Sequence, residues 1–263
     1  PHALGRGQRV GIRKPVNPRP DGFLTAPAHR LGVVFRAEFN AAYIAQFNHT
    51  ASLALFQHDI AKKREVFREE FSLKEDDIAA SIVGRLVPIK NHELCLDSIK
   101  WVKERLNRRI KGFIVGDGES RGYLETYCGE IGLTHSSDSD DDVDVYFTSW
   151  VKNVDFVNAG SDIIALTSKN EGTPVSLIEA QAGNRAIVST RVGGIEDVVI
   201  PNETALLSDP HNAEKFRENL LTLAKDDEKR TQFGEKGWQF VKDKFHYERL
   251  ARDVADLYSR LLP

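Results

Sequence analysis

The residues best suited to chemistry lie in three short stretches, each following an apolar run. The richest is Ser168-Lys169-Asn170-Glu171-Gly172-Thr173-Pro174-Val175-Ser176-Leu177-Ile178-Glu179. Thr173 is a good N-cap and Pro174 suits the first helical position, so a helix is expected to begin there. The unpaired N–H groups of its first turn, with the positive end of the helix dipole behind them, make a ready site for phosphate. Glu171 precedes this helix, and Glu179 lies about 7.5 Å along it at ~1.5 Å per residue. Two carboxylates can therefore bracket a diphosphate and accept hydrogen bonds from hydroxyls on either side. Spacing alone leaves a second reading of Glu179 open, as a solvated residue on an ordinary amphipathic helix.

The second stretch, Gly84-Arg85-Leu86-Val87-Pro88-Ile89-Lys90, sets two cations five residues apart across a proline-stiffened turn. Arginine offers a planar fork to phosphate oxygens and lysine a point charge, and both stabilise negative charge growing on a leaving diphosphate. The third is Gly116-Asp117-Gly118-Glu119. A dinucleotide fingerprint needs a further glycine at position 121, where Arg121 stands, which disfavours an NAD site. A tight turn and a close approach to ligand both remain open for these glycines.

The elements that must position these stretches follow from periodicity. Short apolar runs over 80–84, 112–116, 143–147, 162–167 and 185–190 read as strands. Between them Cys95, Ile99, Val102 and Leu106 share one helical face, and helices are expected over 152–159 and 175–182. Leu250, Val254, Leu257 and Leu261 repeat that spacing on a last amphipathic helix. Such alternation requires parallel strands joined by crossovers, so the expected fold class is α/β, a Rossmann-like doubly wound parallel sheet with a helical C-terminus. Ligands bind such sheets at the carboxyl ends of the strands, where the three stretches fall.

Composition narrows the partners. The chain has 263 residues, 41% apolar and 29% charged, with a net charge of −3. That balance supplies no general attraction to nucleic acid, and none is expected as partner. Arg6, Arg9, Arg13, Lys14, Arg19, Arg30 and Arg36 oppose only Asp21 in the opening stretch, which reads as a solvated basic arm. The acidic run Ser136-Ser137-Asp138-Ser139-Asp140-Asp141-Asp142 lacks the glycine and closing glutamate of a calcium loop and reads as a surface loop. Two cysteines, Cys95 and Cys128, are too few for a disulfide framework and indicate a reducing compartment. No apolar run nears the roughly 18 residues of a membrane span. The expected location is cytoplasmic, with peripheral contact to the inner face of the membrane. A chain that opens on Pro1 and contains no methionine reads as a piece of a longer product.

The three stretches, in this order and followed by Glu179-Ala180-Gln181-Ala182 and Val192-Gly193-Gly194-Ile195-Glu196-Asp197-Val198-Val199, resemble the C-terminal, donor-binding domain of retaining glycosyltransferases of the two-Rossmann-domain (GT-B) type, family 4 within the glycosyl transferases group 1. The resemblance runs from about Lys62 to the end. It implies that Arg85 and Lys90 contact the donor diphosphate and that Glu171 holds hydroxyls of the transferred sugar, these three forming the catalytic set. Gly84 and Gly118 would border the donor, and Gly172, Thr173, Pro174, Val175, Ser176 and Leu177 would present the backbone to sugar and phosphate. Glu179 would bind the ribose. Trp150 and Val151 lie where the base is held, although Trp150 also suits a core position. The implied substrate is a nucleoside-diphosphate sugar, a uridine one, with a glycan or lipid-linked acceptor in polysaccharide assembly and neither cofactor nor metal. The implied division is a donor domain over 62–263, preceded by a segment over 1–61 that is disordered or a remnant of the acceptor domain. Such a segment is too short to be a whole acceptor domain. Hence a catalytically incomplete binding module, served by a separate acceptor-domain chain, is an alternative, and a UDP-sugar epimerase of the same architecture is another. Gly183-Asn184-Arg185 departs from the family pattern, which has small residues and then a proline at this strand entry.

Overall fold

The structure, a computed structural model, describes residues 53–261. Seven strands form one sheet: β1 (Ile78–Val83), β2 (Ile110–Val115), β3 (His135–Ser136), β4 (Val145–Ser149), β5 (Ile163–Leu166), β6 (Ala186–Thr190) and β7 (Ala205–Ser208). Their order is β3-β4-β2-β1-β5-β6-β7, and every pairing is parallel. Parallel strands must be joined by crossovers, and the helices supply them. In chain order these are α1 (Leu53–Gln57), α2 (Ile60–Glu70), α3 (His92–Lys103), α4 (Arg121–Glu130), α5 (Val154–Gly160), α6 (Val175–Ala182), α7 (Ile195–Val198), α8 (Ala213–Lys225), α9 (Asp227–Lys244) and α10 (Tyr247–Leu261). This is the doubly wound α/β fold with a helical C-terminus that the alternation requires.

Strand residues point alternately to the two faces, and the apolar runs of β1 and β2 are buried on both. Ile78, Ala80, Ile82, Ile110 and Ile114 pack with Leu96, Ile99 and Phe216 from α3 and α8. Ala79, Phe113 and Val115 face the other way, against Phe67 of α2 and Val157 of α5. Further along that layer, Ile164 and Ile187 meet Leu177 and Ile178 of α6 and Val241 of α9. The expected helix through Cys95, Ile99 and Val102 is α3; it ends at Lys103, so Leu106 packs on the core from beyond it. The last amphipathic helix is present as α10, with Val254, Leu257 and Leu261 exposed.

The order places β1 in the centre, with β2 on one side and β5 on the other. Loops leaving β1 and β5 therefore diverge and open a crevice at the carboxyl edge of the sheet. Phe67 anchors α2 below this framework: it is 2% exposed and its ring lies 4.9–5.6 Å from those of Phe71, Phe113 and Phe156. Phe67→Ala is expected to cost about 3–5 kcal/mol of unfolding free energy, read as a lower urea midpoint. An unchanged midpoint would show that α2 does not belong to the cooperative unit.

Candidate donor site at the carboxyl edge

The loops after β1, β2, β4 and β5 all emerge at this edge, and backbone bonds lock them together. Gly84 N–H donates to Val115 O (2.9 Å), Leu86 N–H to Asp117 O (3.0 Å), and Gly116 N–H to Ser149 O (2.9 Å). Gly116 has φ +138°, and a Cβ there would lie 1.9 Å from the Gly84 carbonyl oxygen. A Cβ on Gly118 would lie 2.4 Å from the Leu86 carbonyl oxygen. Of the two readings open for these glycines, the structure supplies close backbone approach between neighbouring loops.

Across the switch point, Lys90 Nζ donates to Glu171 Oε1 at 2.6 Å, and the Ser168 hydroxyl donates to the same oxygen at 2.5 Å. The side chains of Lys90 and Glu171 are only 23% and 10% exposed, so water screens the pair weakly. Oε2 of Glu171 has no protein partner among the described residues and stays available to a ligand hydroxyl. The loops are also stitched by Lys169 N–H to Ile89 O and by the Thr167 hydroxyl to Lys90 O, each 2.8 Å. Arg85 is exposed, and its side chain makes no hydrogen bond or ion pair among the described residues.

Helix α6 spans Val175–Ala182, as expected, but its cap falls one residue after Thr173. Pro174 is its cap residue with φ −75° and ψ 92°, and no side chain bonds the cap. Proline lacks an N–H, and Leu177 N–H is taken by Pro174 O at 3.0 Å. Neither Pro174 nor Leu177 therefore has a free backbone donor. The N–H groups of Gly172, Thr173, Val175 and Ser176 have no protein acceptor among the described residues, and Gly172, Thr173 and Val175 are exposed. An anion at this terminus would meet several open donors and the dipole together.

Glu179 is half-buried, against the reading of it as a solvated residue. Burial, and then the nearby carboxylate of Asp155, pushes its carboxyl pKa up to about 7. Asp155 itself is paired with Lys63 Nζ at 2.7 Å. Trp150 is 62% exposed, which removes the core alternative, and it follows Ser149, a strand end with φ 59°. Val151 beside it is half-buried. Both cysteines are free and buried, with thiol pKa values pushed up to about 12 by burial, so neither serves as a nucleophile.

Residue-type reasoning missed Ser168, Asp155 and the role of Gly193. Gly193 has φ +51°, and a Cβ on it would sit 1.8 Å from the Glu171 carbonyl oxygen. Gly194 N–H donates to that same oxygen at 3.3 Å. A glycine pair just after an expected strand was the available signal. Among the described residues, no group of three or more His, Cys, Asp or Glu is arranged to hold a metal, and no helix is long and apolar enough to cross a membrane.

The family model for glycosyl transferases group 1 matches residues 63–240. The chain belongs to this family. It is 28% identical over 214 residues to D-inositol 3-phosphate glycosyltransferase of Corynebacterium efficiens, covering 80% of this chain and 49% of that one. Among solved structures it is similar to HepE of Anabaena in complex with UDP, with a TM-score of 0.67 and 18% identity over 79% of this chain and 55% of that one. It also matches the C-terminal domain of LpcC, a group 1 protein of Francisella tularensis, with a TM-score of 0.56 and 16% identity over 68% of this chain and 92% of that domain. At such identities the structural likeness shows the fold, that of the C-terminal GT-B half. The chain spans about half the length of the curated relatives it matches.

The Glu179 carboxyl fixes the sign of a pH effect. Its pKa rises from about 4.5 to about 7 on folding, so the folded state holds the proton more tightly. Its contribution to stability is complete below the unfolded value and is lost as pH rises through the folded one. Glu179→Gln should therefore raise the melting temperature relative to wild type more at pH 8 than at pH 5. An equal difference at both pH values would place this carboxyl in free solvent.

Proposed function

We propose that this chain is the donor-binding half of a retaining glycosyltransferase that takes a uridine diphosphate sugar and passes the sugar to a hydroxyl of a glycan or lipid-linked acceptor. The observation that carries the reading is the Lys90–Glu171 pair standing beside the open first turn of α6, at the point where strand order reverses. A diphosphate at that turn meets free N–H donors and the dipole. Arg85, exposed and without a partner, and Lys90 then neutralise the charge that grows on the leaving group as the glycosidic bond breaks. Glu171, held through Oε1, offers Oε2 to a sugar hydroxyl and so orients the ring.

Glu179 receives the ribose hydroxyls, and the exposed Trp150 ring and Val151 contact the base. The structure of HepE in complex with UDP supports the choice of uridine, and retention follows from the family resemblance. The domain assignment over 62–263 and the cytoplasmic placement belong to the same proposal; two free, buried thiols support the latter. One observation favours a second reading. Because these residues span about half the length of the relatives, they make up a binding module whose turnover requires an acceptor domain. Under that reading the purified chain binds UDP and neither transfers nor hydrolyses a UDP-sugar until such a domain is added.

Calorimetry against UDP, GDP and ADP tests the site, with UDP expected to bind most tightly. Glu179→Ala should weaken UDP at least tenfold, about 1.4 kcal/mol, in line with the roughly 1.5–3 kcal/mol of hydrogen bonds to charged groups. An unchanged constant would remove Glu179 from the site. Since the leaving group is neutralised by side chains and the helix terminus, EDTA should leave UDP affinity unaltered, and a strict need for a divalent cation would overturn that assignment.

A further inference from the structure

At the opposite edge of the sheet, the amino ends of the strands enclose a second crevice of about 420 Å³, lined by Arg64, Arg108, Arg185, Arg230, Asn184 and Thr231 together with five carboxylates. We infer that this crevice binds a phosphate group, inorganic or esterified, on the guanidinium groups of Arg185, Arg64 and Arg230.

Most charges lining the crevice are already matched. Asp162 accepts from Arg64 (2.7 Å), Arg68 (3.4 Å) and the Ala79 N–H (2.8 Å). Asp77 is held by Arg109, and Asp227 lies between Arg108 and Arg230. Glu75 and Glu235 stand at the exposed rim. Arg185 has no carboxylate partner among the described residues. It donates only to backbone oxygens, Nε to Gly183 O at 2.6 Å and Nη1 to Ser161 O at 2.9 Å. Nη1 of Arg64 donates to the same Ser161 oxygen at 3.3 Å, so two like charges converge on one carbonyl. Burial, followed by the charge of Arg64, lowers the Arg185 pKa to about 10, with Arg230 adding in the same sense and Asp162 opposing. The guanidinium is still charged at neutral pH, and no carboxylate accepts a hydrogen bond from it among the described residues. A planar fork with open donors beside a second guanidinium suits a phosphate.

The wall carrying Arg185 is fixed in advance. Asn184 takes a left-handed conformation, φ 57°, and its side-chain oxygen accepts from Gln57 Nε2 at 3.0 Å. Its carbonyl lies so close to Gly234 that a Cβ there would approach it to 2.2 Å. This is the Gly183-Asn184-Arg185 turn whose sequence departs from the family pattern, and no step of the proposed transfer uses it.

The test is an NMR titration of the full chain with 15N-labelled arginine, following the Arg185 Nε–Hε signal while inorganic phosphate replaces chloride at constant ionic strength. The signal is expected to move and saturate, equally in wild type and in Arg85→Ala, which weakens the other edge as an anion site. Arg185→Lys, checked for folding by its melt, should weaken phosphate at least tenfold as read from neighbouring amide signals. Glucose 6-phosphate in a parallel arm distinguishes the sources: tighter binding than phosphate identifies an ester site, and equal or weaker binding a site for the free ion. An Arg185 signal that neither anion moves overturns the proposal, as does undiminished binding in folded Arg185→Lys. Should that variant not fold, the wild-type titration decides alone.

Discussion

Where strand order reverses, the loops leaving β1 and β5 depart in opposite directions, and the Lys90–Glu171 ion pair holds them across the gap. Two charges taken largely out of water lose hydration, and their attraction offsets that loss only when geometry and further hydrogen bonds are good. Here the Ser168 hydroxyl supplies such a bond, and the Thr167 hydroxyl to Lys90 O and the Lys169 N–H to Ile89 O hold the flanking backbone. The pair is thus a preset arrangement, with one carboxylate oxygen engaged and the other open. A ligand entering the crevice finds its acceptor already oriented, which spares the ordering cost at the moment of binding.

The walls of that crevice are made by backbone approaching backbone. Gly116 lies against the Gly84 carbonyl and Gly193 against that of Glu171, each with a positive φ. These contacts bring consecutive loops within a distance that any side chain would prevent. A side chain at either point would collide with the carbonyl of the neighbouring loop.

Helix α6 links the two edges of the sheet. Its first turn is open at the carboxyl edge, and at its other end the chain turns through Asn184 and Arg185 into β6 at the amino edge. Half-buried ionisable groups lie in and just beyond this helix, Glu179 near Asp155 at its middle and Arg185 near Arg64 after its end. Each is shifted first by burial and then by a like charge, an arrangement that favours binding a group able to satisfy it.

The alternation of apolar runs placed five of the seven strands within two residues of their observed starts or ends, because strand and helix periods are properties of short segments. β3, with two residues, was too brief for any period to register, and β7, as short as β5, lies at the sheet edge with its two middle residues only partly buried. The span of α6 was legible, while its cap falls on Pro174 and not on Thr173, and no side chain bonds the cap.

By itself the sequence determined the parallel sheet and the residue types that stand at the carboxyl edge of its strands. Only the tertiary structure decided which charges meet: Glu171 with Lys90, eighty-one residues away, Glu179 with Asp155, and Arg185 with Arg64 and no acid. The reason is physical. Periodicity and capping act within a turn or a strand, whereas burial and charge pairing depend on strand order, which brings together side chains that no local pattern relates.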